Sequence, residues 1–388
     1  MERHKNNLIR RGQSSATAAR EAVREFHAAV VQPDMALVLF FCSSAYDLAA
    51  LADEMAHLFA GVQVVGCTTA GEIGLAGYLE HSLTGASFPA SSFNAVSGYL
   101  GHLQQFKVAT GQALVQDLLT KLENQVPQAE PGNCFALLLT DGLSQREESL
   151  TRTLQSALGQ RPLVGGSAGD GVDFGRTHVY FDGCFHADSA VLVVVATPLP
   201  FKLFMTQHFV ATDERLVVTE ADCAQRIVKE INGLPAAREF ARILGIDVRD
   251  LDSARFAASP VVVLINGTSY VRSIQKVNPD GGLTFFCAIE NGLVLRVAKG
   301  VGLVQNLEQA YAQIRADIGS PQLVLCCECF LRKLEIDQNQ LGAQVSDVFR
   351  HNNTIGFNTY GEQFRGVHVN QTLVGVAIGT DASEADDD

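Results

Sequence analysis

Apolar and polar positions along the chain fall into a few recurring blocks. Met35 to Phe41 is an unbroken apolar run of strand length. Asp47 to Phe59 then carries Leu48, Leu51, Met55, Leu58 and Phe59 at helical spacing, and Val62 to Val65 is a second short apolar run. A hydroxyl-rich turn follows directly. This order predicts one supersecondary unit of strand, helix, strand and turn. Its closing phrase, Val65-Gly66-Cys67-Thr68-Thr69-Ala70-Gly71-Glu72, returns as Val164-Gly165-Gly166-Ser167-Ala168-Gly169-Asp170 and as Ile355-Gly356-Phe357-Asn358-Thr359-Tyr360-Gly361-Glu362. The step from strand to phrase is 28 residues from Ala36 to Val64 and from Phe135 to Leu163, and 31 from Leu323 to Thr354. Self-similarity of this kind predicts one unit used three times.

Between the repeats, residues 1 to 13 read as a loose basic arm, and Ser14-Ser15 as the cap of an amphipathic helix from Ala16 to Val30. Leu83 to Leu100 and Gln104 to Val108 read as strands and Gly111 to Gln125 as a helix. Thr177 to Phe181 and Ala187 to Ala196 read as a hairpin turning at Asp182-Gly183. Pro198 and Pro200 flank a single Leu, where neither a helix nor a central strand continues, which places a domain boundary there. Beyond it, Phe201 to Val210 and Leu216 to Thr219 are strand-like, and Ala221 to Ile231 fits strand or helix. Pro235 to Leu244 is a helix stopped by Gly245. Four strand-like runs from Val261 to Val297 and a long helix from Leu303 to Ile318 precede the third unit. The pattern predicts an α+β fold with mixed sheets, divided into an arm and helix (1–34), two domains (35–198 and 199–380) and an acidic, disordered tail (381–388).

The net charge of −13 argues against sequence-independent nucleic-acid binding and against anionic membrane surfaces. The longest apolar stretches, Met35 to Cys42 and Ala187 to Ala196, are too short to span a bilayer. Nine cysteines without a secretion signal predict reduced thiols and a cytoplasmic protein. Cys326-Cys327-Glu328-Cys329 lacks the second ligand pair that a structural zinc needs. The phrase residues Thr68, Thr69, Glu72, Ser167, Asp170, Thr359 and Glu362 form one candidate set for a small polar ligand; the plainer alternative is that the carboxylates cap neighbouring backbone. No acid/base pair or activated nucleophile stands out, so no enzyme is expected.

Several of these segments, taken together, resemble the FIST family of intracellular sensory proteins, from about residue 35 to 379. They are Val64 to Gly74, Leu163 to Asp170, Glu230 to Ala236, Cys329 with Arg332, and Gly356 to Gly361 followed by His368 to Thr372. The resemblance implies two FIST domains, N-terminal and C-terminal. Thr359 to Gln363, Val367 to Thr372 and Val271 to Gly281 further resemble the nitric-oxide-sensing NosP branch. That branch implies a non-covalent haem b, nitric oxide as input, and a partner histidine kinase feeding cyclic-di-GMP control of biofilms. A homo-oligomer is left open, and a haem-free module sensing amino acids or another metabolite is the rival reading. Of the ten histidines, His208 is the first candidate axial ligand, because it lies among Phe204, Met205, Phe209 and Val210 just past the domain boundary. FIST relatives outside the nitric-oxide branch resemble Gly-Trp where this chain has His208-Phe209. His368 is the second candidate.

Overall fold

The computed structural model describes residues 8–265 and 268–380; the first seven residues of the arm and the acidic tail 381–388 lie outside them. Three six-stranded sheets share one plan. In each unit an edge strand leads to a helix, a first inner strand, one or two helices and a second inner strand parallel to the first. A hairpin and a returning antiparallel strand complete it. The two inner strands are Met35–Ser43 with Val64–Thr69, Cys134–Thr140 with Leu163–Ser167, and Leu323–Cys329 with Thr354–Thr359.

Each inner strand reads as a continuous apolar run because both of its faces are covered. Side chains alternate across a strand. Leu37, Leu39 and Phe41 therefore point to a core shared with Phe135, Leu137 and Leu139 of the second sheet and Leu323, Leu325 and Cys327 of the third. Val38, Phe40 and Cys42 point the other way, under helices carrying Phe26 and Leu51. The second and third sheets repeat this, with Ala136 and Leu138 or Val324 and Cys326 facing their own helices. The molecule is thus three sheets around a common core with helices outside.

The hairpins are exchanged in a ring. Glu72–Gly74 of the first unit pairs with Thr354–Thr359 of the third. Glu362–Phe364 of the third pairs with Leu163–Ser167 of the second, and Val179–Phe181 of the second with Val64–Thr69 of the first. The three phrases accordingly occupy equivalent corners. Pro198 to Pro200 joins Ala190–Ala196 of the second sheet to Phe201–Thr206 of the third.

Some expectations change. Arg10–Ser14, expected in a loose arm, is an edge strand on Leu83–Pro89. Gln104 to Val108 is not a strand: Leu103–Gln105 is a 3-10 turn ahead of the helix Val108–Gln125. Val179–Phe181 turns at Asp182-Gly183 onto Cys184–His186, while Ala190–Ala196 pairs with Cys134–Thr140 and Asn94–Leu100. Ile227–Ile231 is a strand.

The third unit carries an insertion between its edge strand Phe201–Thr206 and its helix Leu303–Ile318. This is an eight-stranded sheet around Leu216, Val228, Phe240, Phe256 and Leu295. Its two end strands, Thr268–Arg272 and Ile274–Val277, are separated only by Ser273, so the chain itself closes the ring. No helix among the described residues is long and apolar enough to cross a membrane.

Candidate functional site

The three corners bond mostly to one another. Ala70 N donates to Asn358 O at 3.0 Å, Gly169 N to Thr68 O at 3.0 Å and Tyr360 N to Ser167 O at 3.3 Å. The phrase carboxylates then hold the loops that follow. Glu72 accepts from the hydroxyls of Thr69 and Ser82 and from Ser82 N. Glu362 repeats this with the Thr359 hydroxyl at 2.5 Å, the Thr372 hydroxyl at 2.6 Å and Thr372 N at 3.3 Å. Burial pushes both carboxyls up, Glu362 to about 8, against those hydrogen bonds. In the second unit Asp170 accepts from Gly175 N and Arg176 N, and from the Tyr360 hydroxyl. Thr68 receives His178 N and Ser167 receives the Gln363 amide. All seven phrase candidates are buried; Thr68, Ser167 and Asp170 tie units together, and Thr69, Glu72, Thr359 and Glu362 clasp loops of their own unit. Thr69, Ala70, Gly71, Glu72, Asp170 and Asn358 also line a cavity of about 490 Å³ that Phe330 and Leu334 help to wall.

His208 is buried at the entry to the inserted sheet, and both ring nitrogens are engaged. Nε2 lies 2.8 Å from Glu335 Oε1 and Nδ1 3.0 Å from Arg332 Nη1. Arg332, fully buried, passes the chain of contacts to Glu328, which reaches Tyr78 and Asn358. As placed, His208 offers no nitrogen to an iron. Of the apolar neighbours read from sequence, Phe209 packs on the ring, Val210 is exposed and Phe204 and Met205 join other cores, while two partners distant in sequence take the polar atoms. Cys326, Cys327 and Cys329 lie in the same inner strand, their thiols pushed up by burial.

His368 sits differently. It lies on the strand Val367–Val369, where the second unit's helix Glu147–Leu158, the third corner and the inserted sheet meet. Gly361 lies so close that a Cβ there would collide with the ring and come within 2.9 Å of Asn370 Nδ2. The ring's polar contacts are Nδ1 to Gln363 Nε2 at 3.4 Å and the Glu362 backbone, and its Cε1–Nε2 edge packs against Gly361. Burial, aided by Arg226 and Arg272 and opposed by Glu148, pushes the imidazole down to about 4. Beside it, Asn370 Oδ1 and Nδ2 and Gln363 Oε1 are buried without partners. Unpaired buried polar atoms are uncommon and call for a reason such as a bound guest.

An ion cluster and an aromatic cluster complete the surroundings. Arg226 Nη2 donates to Glu147 at 2.7 Å and Glu148 at 2.6 Å, and its Nη1 to Phe286 O at 2.7 Å. Burial raises Glu147 to about 6, whereas for Glu148 the nearby cations outweigh burial and hold it low. Phe174 stacks on Tyr360 at 4.6 Å and touches Phe286 at 5.9 Å and Phe330 at 6.2 Å. Glu147, Glu148 and Arg226 escaped sequence reasoning. The only linear trace is an acidic pair at a helix start, which ordinarily means solvated charge.

The segments that resemble the nitric-oxide branch meet here. Ser273 Oγ donates to Gln371 Oε1 at 3.0 Å, joining Val271 to Gly281 with Val367 to Thr372, and Gly361 joins Thr359 to Gln363 with His368. Among known proteins, the family model described as FIST N domain matches residues 36–234 and that described as FIST C domain matches residues 236–365. No curated protein matches the chain. One solved structure, described as "Cyanuric acid hydrolase: evolutionary innovation by structural concatenation", is 9% identical with a TM-score of 0.38. The match covers 96% of this chain and 99% of that one.

Proposed function

The chain belongs to the FIST family, whose domains are small-molecule-sensing modules of signal transduction. From that premise we propose that it senses nitric oxide through a non-covalent haem b held by His368, and that a partner histidine kinase reads the outcome in cyclic-di-GMP and biofilm control. One observation carries this reading: of three segments resembling the nitric-oxide branch, one contains His368, one sets Gly361 against its ring and the third bonds Gln371 three residues on. Its imidazole is neutral at neutral pH, the form whose nitrogen ligates iron, and iron would reach Nε2 only with the Gly361 corner drawn aside from the ring. Gln363 would orient the ring through Nδ1. Arg272 adds a cationic group suited to a carboxylate, Arg226 being already held by Glu147, Glu148 and Phe286 O. Haem supplies an iron with a coordination position open to a diatomic gas. Binding becomes a signal only when the partner distinguishes the two states.

Haemin titration of the purified protein tests this. A Soret band is expected for wild type and for His208→Ala, and at least a tenfold loss of affinity for His368→Ala with an unchanged circular dichroism spectrum. Full binding by a folded His368→Ala protein overturns the assignment. The cavity of about 490 Å³ walled by the phrase residues favours a second reading, a haem-free module for an amino acid or similar metabolite. That reading expects no Soret band and a melting temperature raised by a metabolite and lowered in response by Lys333→Ala at the cavity wall.

A further inference from the structure

The two chain crossings of the inserted sheet run side by side. His208 lies on the outgoing one, between Phe201–Thr206 and Phe209–Asp222, and Gly300 to Gly302 form the return to the helix Leu303–Ile318. Val301 N donates to His208 O at 2.8 Å. An open cleft of about 510 Å³ lies over this junction, with His208 and Glu335 in its wall, and it shares no lining residue with the phrase-corner cavity. Geometry fixes the protons of this wall. Arginine has donors only, so the 3.0 Å contact from Arg332 Nη1 makes His208 Nδ1 an acceptor. The ring proton then sits on Nε2 and is given to Glu335 Oε1 at 2.8 Å. A ring with one proton is neutral, so His208 leaves the Glu335 charge unanswered. The Arg332 charge is spent on Glu328, which accepts from Nε at 3.2 Å with both side chains fully buried. Among the described residues no lysine or arginine pairs with Glu335. Its Oε2 is buried without a partner, in a residue only 8% exposed. A buried carboxylate held by one neutral donor lacks a cation.

We propose that this cleft binds a small organic cation with N–H donors, an ammonium or a guanidinium, anchored by Glu335. The rest of the wall suits that charge. It holds no lysine or arginine, and Gln305, Asn339 and Gln344 bring amide oxygens to it. Gly300 leaves the approach open: a Cβ there would stand 3.1 Å from His208 Nε2 and 3.2 Å from Glu335 Oε1. A bare metal ion fits less well, since no group of three or more His, Cys, Asp or Glu side chains is placed to hold one among the described residues. The site uses neither His368 nor the phrase residues, so it stands whichever reading of those holds.

The chain has no tryptophan, so Gln305→Trp at the exposed rim of the cleft gives it a single fluorescent reporter. The probe is n-butylammonium. Tetramethylammonium, which carries the charge but no N–H, is the control at equal ionic strength. A saturable fluorescence change is expected with butylammonium, and binding at least tenfold weaker with tetramethylammonium. Adding Glu335→Gln should also weaken butylammonium at least tenfold, because glutamine keeps an oxygen for His208 Nε2 and loses the charge. Circular dichroism checks the fold of that variant. On the unaltered chain, the His208 Nε2–H resonance should shift with butylammonium and stop shifting at saturation, and should respond at least tenfold more weakly to tetramethylammonium. This arm decides the question even where Glu335→Gln does not fold. No saturable response to butylammonium, equal affinity for the two cations, or unchanged affinity in a folded Glu335→Gln protein overturns the proposal.

Discussion

Gly165→Ala and Gly356→Ala are each expected to cost about 3 kcal/mol or more, enough to lower the denaturation midpoint sharply or prevent folding at growth temperature. These glycines hold the same place in their units, facing Leu138 and Cys326 across the parallel ladder, as Gly66 faces Phe40. A Cβ at Gly165 would run into the carbonyl oxygen of Leu138, and one at Gly356 into that of Cys326. Backbone in the centre of a sheet covered on both faces has nowhere to shift. At Gly66 the corresponding oxygen lies 2.6 Å away and the Phe40 ring shares the contact, so Gly66→Ala should be the mildest of the three. Gly342 is the control: it opens the helix Gly342–His351, nothing lies within 4 Å of its Cβ position, and its Ala variant should gain about 0.5 to 1 kcal/mol. Guanidinium denaturation of the four variants checks the order. Equal, small losses at Gly165 and Gly342 would show that the phrase glycine is not constrained by close approach.

That constraint explains why the repeat is legible in sequence at all. Close strand approach and the carboxylate tie both act within a few residues of the corner, so they leave a local spelling: apolar, Gly, hydroxyl, Gly, carboxylate. The inner strands were equally legible, because burial on both faces leaves unbroken runs such as Met35 to Phe41. The exchange of hairpins was not. Glu72–Gly74 and Thr354–Thr359 pair across nearly the whole chain, and nothing in either stretch names its partner. The second corner hid a further difference, since it has no glutamate clasp: Asp141 takes that part, accepting from the Thr177 hydroxyl and from Asp188 N.

The histidines show the same limit. The run from Phe204 to Val210 correctly announces that His208 is buried. Burial alone does not say whether a ring is free, and here Glu335 and Arg332, 127 and 124 residues away, occupy both nitrogens. His368 looked structural because its stretch belongs to the family at large. Its unusual setting comes from Glu148, Arg226 and Arg272, which three separate parts of the chain deliver.

Wild-type stability is expected to fall by about 2 kcal/mol between pH 6.5 and pH 9, and Glu362→Gln is expected to remove most of that fall. The Glu362 carboxyl is fully buried and raised from 4.5 to about 8, burial outweighing the hydrogen bonds from Thr359 and Thr372. A group raised on folding favours the folded state fully below its unfolded value. That advantage is lost as pH rises through the folded value, so the window here runs from about 4.5 to 8. At about 1.4 kcal/mol for each tenfold change in proton affinity, the ceiling is about 5 kcal/mol. Glutamine keeps the shape and stays neutral. Its carbonyl can accept from Thr372 N and its amide donate to the Thr359 hydroxyl, so the variant should lie within about 1 kcal/mol of wild type at pH 5 and above it at pH 9. His368 tilts the acid side the other way. Its imidazole is lowered from 6.5 to about 4, so its contribution is complete above pH 6.5 and is lost as pH falls through 4. The two slopes offset each other between about pH 4.5 and 6.5, so wild type should be level there and fall from 6.5 to 8, whereas Glu362→Gln should climb to pH 6.5 and stay level above it. Parallel alkaline limbs for the two proteins in denaturant titrations at each pH would mean that the corner clasp holds an ionised carboxylate, and that the hydrogen bonds of Thr359 and Thr372 outweigh its burial.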